Sequence, residues 1–378
     1  MTGIQVGDRL TLSLGKPASG GFNVSRHEGL VIFVRGGLEG EEVEARVESL
    51  TKNFARAVTE RVIQGSPHRI ETPCNYVHLC GGCDFQHIEI DYQRLIKGEI
   101  IREQFLRIAK IDVRVEVKDM GHHFGWRTRQ NYASNSAGEV GMRIWRSNEI
   151  VPIDQCLIAS EGTQPPRRME PLSEIFLVES SGGDRVAWSE RNEIDQKIVE
   201  NVGANKFEIA ANSFWQIHPN APAVFSSAVI KVADLQPGDH VLDLYGGSGL
   251  FAVHALGLVG ESGRVEVFEH SIDAIESVKA NYPAIKVRSG DVAKNLREVK
   301  FCNVVILDPP RTGVSAEVIK QLGRIKPRKI AYLSCEPSTL ARDAKSLLEC
   351  GYQLISLEAF DAFPQTAHVE TLAGFALA

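Results

Sequence analysis

The run His240-Val-Leu-Asp-Leu-Tyr245-Gly-Gly-Ser-Gly-Leu-Phe251 decides the fold. It reads as a buried strand, a glycine-rich turn and the start of a helix. Glycines in such a turn let the backbone come close to a nucleotide at the switch point of a parallel sheet. From about residue 205 onward, strand-like VLDLY, VEVFE, VVILD and IAYLS alternate with helix-like segments, the pattern of a parallel α/β sheet. Glu269 ends the second of these strands, where a carboxylate can take the hydroxyls of a ribose. On glycines alone, Gly247-x-Gly249-x-x-Ala252 also satisfies the relaxed dinucleotide pattern and leaves NAD open.

Upstream the pattern changes twice. Residues 1–65 hold short alternating runs (IQVGDRLTLSL, GLVIFVRG, EEVEARVESL, FARAVTERVI) separated by Gly-rich turns, which predicts an OB-like β-barrel. Residues 66–204 form a second, β-rich unit. It contains a cysteine-bearing loop and a helix over 88–110 that packs on the C-terminal domain. A charged stretch near 178–195 reads as a solvated connection or a helix. The expected architecture is therefore multidomain α/β, with a Rossmann-like domain over 205–378.

With 43% hydrophobic and 24% charged residues the chain reads as globular, and no apolar run approaches the ~20 residues that span a bilayer. The start, MTGIQVGDRL, lacks the features of a secretory leader, so a cytoplasmic monomer with no membrane partner is expected. A net charge of −6 speaks mildly against nucleic acid. Local clustering offsets it: Arg127, Arg129, Arg143 and Arg146 interleave with Trp126, Tyr132 and Trp145, as splayed RNA would need. Basic residues of the preceding helix (Arg94, Lys97, Arg102, Arg107, Lys110) extend that patch.

Seven cysteines in such a chain point to metal or catalysis rather than disulfides. Cys74, Cys80 and Cys83 cluster in one loop and Cys156 offers a fourth thiolate. The donor set suits zinc or a [4Fe–4S] cluster, and His78 or His87 could complete a zinc site. Cys302 and Cys350 read as packing residues. Cys335 stands apart: Leu-Ser-Cys335-Glu-Pro337 runs from a strand into a helix, where the helix dipole favours thiolate. Near the C-terminus, Phe363-Pro-Gln-Thr-Ala-His-Val-Glu370 sets a carboxylate among apolar residues. A cysteine nucleophile with a partly buried carboxylate is what alkylation of uracil at C5 demands. C5 reacts only after a thiolate adds to C6, and a base must then remove the C5 proton.

Seven stretches carry a resemblance, in order: FWQ (214–216), DLYGGSGLF (243–251), FE (268–269), GD (290–291), LDPPRTG (307–313), LSCEPSTLARD (333–343) and FPQTAHVE (363–370). Through them the chain resembles the RNA uracil-C5 methyltransferases, and residues 1–65 resemble that family's RNA-binding TRAM domain. The resemblance implies S-adenosyl-L-methionine as methyl donor, Cys335 as nucleophile and Glu370 as base. It also implies Gln216, Tyr245, Glu269, Asp291 and Asp308 as contacts to the cofactor or target base. A [4Fe–4S] cluster on Cys74, Cys80, Cys83 and Cys156 is implied as well, as in the family's ribosomal-RNA branch, with 23S ribosomal RNA favoured over tRNA as substrate. A non-catalytic RNA-binding or assembly protein is the rival reading, which the intact Cys335 and Glu370 oppose. Gly246, Leu250 and Gln365 depart from residues common in the family.

Overall fold

The computed structural model describes residues 3–189, 194 and 196–378. The N-terminal unit is one sheet of β1 (Arg9–Ser13), β2 (Pro17–Ala18), β3 (Phe22–His27), β4 (Leu30–Arg35), β5 (Glu42–Leu50) and β6 (Phe54–Gln64), in the order β1-β5-β6-β4-β3-β2. Strict alternation makes it close: Ile32, Val34, Val43, Ala45, Val47, Ala55 and Ala57 all face inward with no exposed surface.

After the cysteine loop, helix α1 (Ile90–Gln104) runs on into a π-helical turn, Phe105–Ala109. Its Ile101 and Phe105 enter the core of the C-terminal domain, whereas Ile96 and Ile100 pack on Leu38, Phe85 and Ile88. The central unit is a five-stranded antiparallel sheet. It comprises β8 (Arg129–Ser134), β9 (Val140–Arg143), β10 (Ile150–Pro152), β11 (Glu174–Glu179) and β12 (Arg185–Trp188), after a two-residue β7 (Val117–Lys118) that joins the C-terminal sheet instead.

As far as Trp188 the charged stretch near 178–195 is a strand pair rather than a helix or a loose connection. Its first part is the β11–β12 hairpin, in which Leu177, Val178 and Val186 are buried; residues 190–193 and 195 lie outside the described residues. The boundary placed at 204 also falls inside a unit. The hairpin β13 (Lys197–Val202) and β14 (Asn205–Ala210) straddles it and buries Ile198, Val202, Phe207 and Ile209 in the C-terminal core.

The C-terminal sheet has eight strands in the order β17-β16-β15-β18-β19-β21-β20-β7. Its parallel half is β15 (His240–Leu244), β16 (Arg264–Glu269), β17 (Lys286–Ser289), β18 (Val304–Leu307) and β19 (Lys329–Ser334). The long hairpin β20 (Tyr352–Phe360) and β21 (Glu370–Leu377) then lays β21 antiparallel against β19. Helices α2 (Ala221–Ala233), α3 (Leu250–Val259) and α4 (Ile272–Asn281) cover one face. The other face carries α5 (Val292–Leu296), α6 (Ala316–Ile325) and α7 (Pro337–Glu349). Strand β15 shows why both faces must be covered: Val241 belongs to one core, Leu242 and Leu244 to the other. Among the described residues no helix is long and apolar enough to cross a membrane.

Candidate active site

The carboxyl ends of β15, β16, β18 and β19 share one edge, and the motif residues gather there. After β15 the chain turns through Tyr245 at φ 64°, a left-handed conformation that a bulky side chain adopts only when its surroundings impose it. Gly247 and Gly249 follow at φ 51° and 86°, and Gly249 opens α3. Glu269, at the end of β16, binds that turn: its Oε2 accepts from Gly247 N at 3.0 Å and its Oε1 from His270 N and Ser271 N at 2.7 and 2.8 Å. Asp291 caps α5 by accepting from Lys294 N, and its side chain is exposed on the same edge. Gln216 is buried beside Trp215, whereas Phe214 is 71% exposed.

This edge has an unusual electrostatic character. Asp243 is wholly buried; its Oδ2 accepts from Ala252 N at 3.0 Å, while Oδ1 has no partner. Burial pushes its carboxyl up to about 8, with help from Asp308 and Glu269. Asp308, at the end of β18, is pushed up to about 7 by burial. An acid cluster with one unpartnered oxygen, Asp243 Oδ1, beside a glycine turn suits a ligand that brings a positive charge and ribose hydroxyls, as a sulfonium nucleoside does.

Cys335 and Glu370 come together through sheet register. Ser334, the last residue of β19, pairs with Thr371 of β21, so the next residue along β19 and the preceding one on β21 stand side by side at the strand ends. Glu370 is 5% exposed, its Oε2 has no hydrogen-bond partner, and burial followed by Asp308 raises its carboxyl well above the usual range. The expected thiolate does not survive this company. Burial, then Glu370, pushes the Cys335 thiol up to about 12, against the weaker opposing pull of Arg311. The helix-dipole argument left out the carboxyl groups of Glu370 and Asp308 facing the thiol.

Asp343, which sequence reasoning passed over, fixes the loop between Asp308 and α6. Its Oδ2 accepts from Val314 N at 2.9 Å and from Tyr332 Oη at 2.7 Å. Arg342 donates to Thr312 O at 2.9 Å, and Thr339 Oγ1 to Arg311 O at 3.2 Å. Helix α7, which follows Cys335, thereby holds the chain after Asp308 in register. The available signal was a single carboxylate, Asp343, on the otherwise apolar face that Leu340, Ala341, Ala344 and Leu347 form on α7.

All four expected cysteine ligands line one small cavity of about 30 Å³, with Tyr76, Met142, Ile153 and Arg127. Neither His78 nor His87 is in that lining. His87 is buried against the barrel, 3.4 Å from Gly37 O, and burial lowers it to about 4. Among the described residues no three His, Cys, Asp or Glu side chains converge on the position of one metal ion. The thiols surround a shared space rather than a point.

The arginine patch needs correction. Arg129 is consumed internally, donating to Ala211 O and Ser213 O at 3.0 and 2.8 Å and pairing with buried Glu200 at 3.3 Å. Arg127 is buried against the cysteine cavity and donates to Arg129 O. Trp126 and Tyr132 are core residues. On α1, Arg94, Lys97, Arg102 and Arg107 are each paired with a carboxylate. Arg143 and Arg146 remain at the surface, although Arg143 pairs with Glu174. Trp145 lies between the Arg146 and Arg35 guanidinium groups, at 4.6 and 4.8 Å, and touches Phe22 of the barrel.

Comparison with known proteins agrees with this geometry. Residues 171–377 match the tRNA (Uracil-5-)-methyltransferase family and residues 4–59 the TRAM domain. An uncharacterized RNA methyltransferase of Streptomyces coelicolor is 33% identical over 97% of this chain and 93% of its own. The 23S rRNA (uracil(1939)-C(5))-methyltransferase RlmD of Pseudomonas putida is 30% identical over 98% of this chain and 94% of its own. The Pyrococcus abyssi tRNA (uracil-54, C5)-methyltransferase, solved with S-adenosyl-L-homocysteine, shares the fold at TM-score 0.74 and 24% identity, over 97% of this chain and 100% of that one. The chain belongs to the RNA uracil-5-methyltransferase family.

Proposed function

We propose that this protein methylates C5 of a uracil in 23S ribosomal RNA, with Cys335 as covalent nucleophile and Glu370 as the base. The observation that carries the reading is the pairing of those two side chains at adjoining strand ends, with Asp308 and Arg311 in the same field. S-adenosyl-L-methionine, held by the Tyr245–Gly249 turn, Gln216, Glu269, Asp291 and Asp308, supplies an electrophilic methyl group. The protein's own residues do the rest. Cys335 releases its thiol proton to solvent and adds as thiolate to C6 of the ring, which makes C5 a nucleophile. Arg311 is the nearby cation whose field favours the thiolate needed for that addition. Once C5 carries the methyl group, Glu370 accepts the C5 proton, the C5–C6 double bond re-forms and the Cys335 sulfur leaves. Burial raises the Glu370 carboxyl, so it must first release its own proton to solvent; once ionised, it is the stronger base for having been raised. The ribosomal substrate is favoured by the 30% identity to the Pseudomonas putida enzyme across nearly the whole chain, and a cytoplasmic site of action goes with it.

The test separates the two residues. Cys335→Ala abolishes methyl transfer and any covalent RNA adduct. Glu370→Gln still permits addition and methylation but stalls before elimination, leaving a denaturant-resistant protein–RNA band that disappears in the double variant. Methyl transfer by Cys335→Ala would refute the mechanism. Mapping 5-methyluridine in total RNA, with and without the protein, decides between ribosomal and transfer RNA.

The same reading gives the four-cysteine cavity a [4Fe–4S] cluster on Cys74, Cys80, Cys83 and Cys156. Its support is the donor set: four thiols, no carboxylate and no imidazole around one space, without convergence on a single ion. Protein prepared without oxygen should be brown with about four irons per chain, and Cys80→Ala should lower both iron content and melting temperature. Stoichiometric zinc without iron would overturn it.

A further inference from the structure

Glu370 has a task that needs sub-ångström placement, yet its Oε2 has no hydrogen-bond partner among the described residues. Its position must come from the backbone that presents it. That backbone is the end of the β20–β21 loop, residues 361–369, which leaves the sheet at Phe360 and returns at Glu370, the two being paired across the hairpin. A nine-residue loop left to itself would let the carboxylate wander over the reacting carbon.

Helix α1 prevents this from 264 residues away in sequence. Lys97 has no exposed surface; its Nζ donates to Asp361 Oδ1 at 2.5 Å and to Phe363 O at 3.1 Å. One turn earlier, Gln93 is equally buried. Its Nε2 donates to Gln365 Oε1 at 3.0 Å, and its Oε1 accepts from Gln365 N at 3.0 Å. The same Nε2 also donates to Phe85 O and Ile88 O, at 3.1 and 3.0 Å. Gln365 sits at φ 69°, a left-handed conformation for a non-glycine residue, and its carbonyl accepts from Asp84 N and Phe85 N at 3.1 and 3.0 Å. Asp84 Oδ2 takes Ala367 N at 3.2 Å. The start, middle and far side of the loop are each tied to α1 or to the residues just before it.

A buried lysine–aspartate pair is poor value as a stabiliser, because desolvation cancels most of the attraction. It makes better sense as a locator. We propose that Lys97 and Gln93 are positioning residues for the proton-abstraction step: the clamp they form on residues 361–367 sets where the Glu370 carboxylate stands relative to the Cys335 adduct. The inference rests on the covalent reading above and assigns one step of it to α1. The clamp grips the loop that ends at Glu370, whereas the turn that carries Cys335 is held by its own bonds, Glu336 N donating to Ser334 Oγ at 3.2 Å and Ser338 Oγ to Glu336 Oε1 at 2.9 Å. Loosening it therefore slows elimination more than addition. A misplacement of about 1 Å costs on the order of 100-fold in such a step.

The experiment compares wild type with the double variant Lys97→Met, Asp361→Leu, which removes both charges and leaves neither buried alone. Single-turnover assays on uridine RNA with S-adenosyl-L-methionine follow adduct formation and adduct decay separately on denaturing gels. Decay should slow by about tenfold or more and formation by less than about threefold, so methylated RNA–protein adduct accumulates. A general loss of structure would slow both alike and accumulate nothing; either result in a folded variant overturns the clamp. If circular dichroism and melting show the double variant to be unfolded, Gln93→Ala is read by the same criterion. Wild type with 5-fluorouridine RNA is the control. Failure to trap an adduct there refutes the covalent reading and the clamp with it, whereas trapping with unchanged partitioning in the variants refutes the clamp alone.

Discussion

Binding of the sulfonium cofactor should expel protons, and Asp308→Asn should reduce the number by about half a proton at pH 7. Burial pushes the Asp308 carboxyl up to about 7, so in the free protein it holds roughly half a proton at that pH and about nine-tenths of one at pH 6. A cation within ~4–6 Å favours the charged carboxylate and drives that proton off. Asp243, raised to about 8, adds a contribution that persists to higher pH. The part lost in Asp308→Asn should therefore be largest near pH 6 and fall below about a tenth of a proton by pH 8.5. Isothermal calorimetry in buffers of different ionisation enthalpy counts the protons directly. S-adenosyl-L-homocysteine, with a neutral sulfur, serves as the control and should release fewer. Equal release by the two ligands, or an unchanged count in Asp308→Asn, would refute the claim that the acid cluster is matched to a positive charge.

Two further outcomes separate structural from functional charge. Arg129→Met should destabilise the fold by about 3–5 kcal/mol, because buried Glu200 loses its partner, while the RNA affinity of the folded fraction stays unchanged. Arg146→Ala should leave stability alone and lower the salt dependence of RNA binding by about 0.7 in log–log slope, as expected for one phosphate contact to a single strand. Asp243 makes a prediction for stability against pH. Its carboxyl is raised in the folded chain, from 3.8 to about 8, so the folded state binds more protons than the unfolded one between those values. Stability therefore falls as pH rises through that window, and Asp243→Asn should flatten the trend in urea midpoints measured from pH 5 to 8.

How much of the fold could be read from the sequence depended on burial pattern. Strands β15, β16, β18 and β19 are covered on both sides and read as apolar runs, which periodicity finds easily. Strand β17 is four half-exposed residues at the sheet edge, KVRS, and gives no such signal. Strand β3 was hidden for a different reason. Its Asn23 and Ser25 point inward because they donate to Gly15 O and Ser13 O, so the polar residues occupy what alternation would call core positions. The β11–β12 hairpin was obscured by charges that flank it: Glu179 and Arg185 pair with each other across the turn, which alternation cannot distinguish from a solvated helix.

The site divides along the same physical line. Glu269 could be singled out from the sequence as the carboxylate that ends its strand, but its bond to Gly247 N is seen only in the fold; Asp291 came from the resemblance alone, and its capping of α5 likewise appears only in the structure. Charge was not legible, because a charge acquires its meaning from partners that sequence does not place. The five basic residues of the 94–110 helix looked like one patch, yet four of them answer to carboxylates at positions 103, 112, 119 and 361. The Cys335 thiol looked activated by its helix and is suppressed first by burial and then by a carboxyl group 35 positions later that the β19–β21 register brings alongside. That suppression is consistent with the chemistry. Under the covalent mechanism proposed above, a thiol kept protonated in the free protein spends little time as a free nucleophile, and addition to C6 waits for the bound substrate.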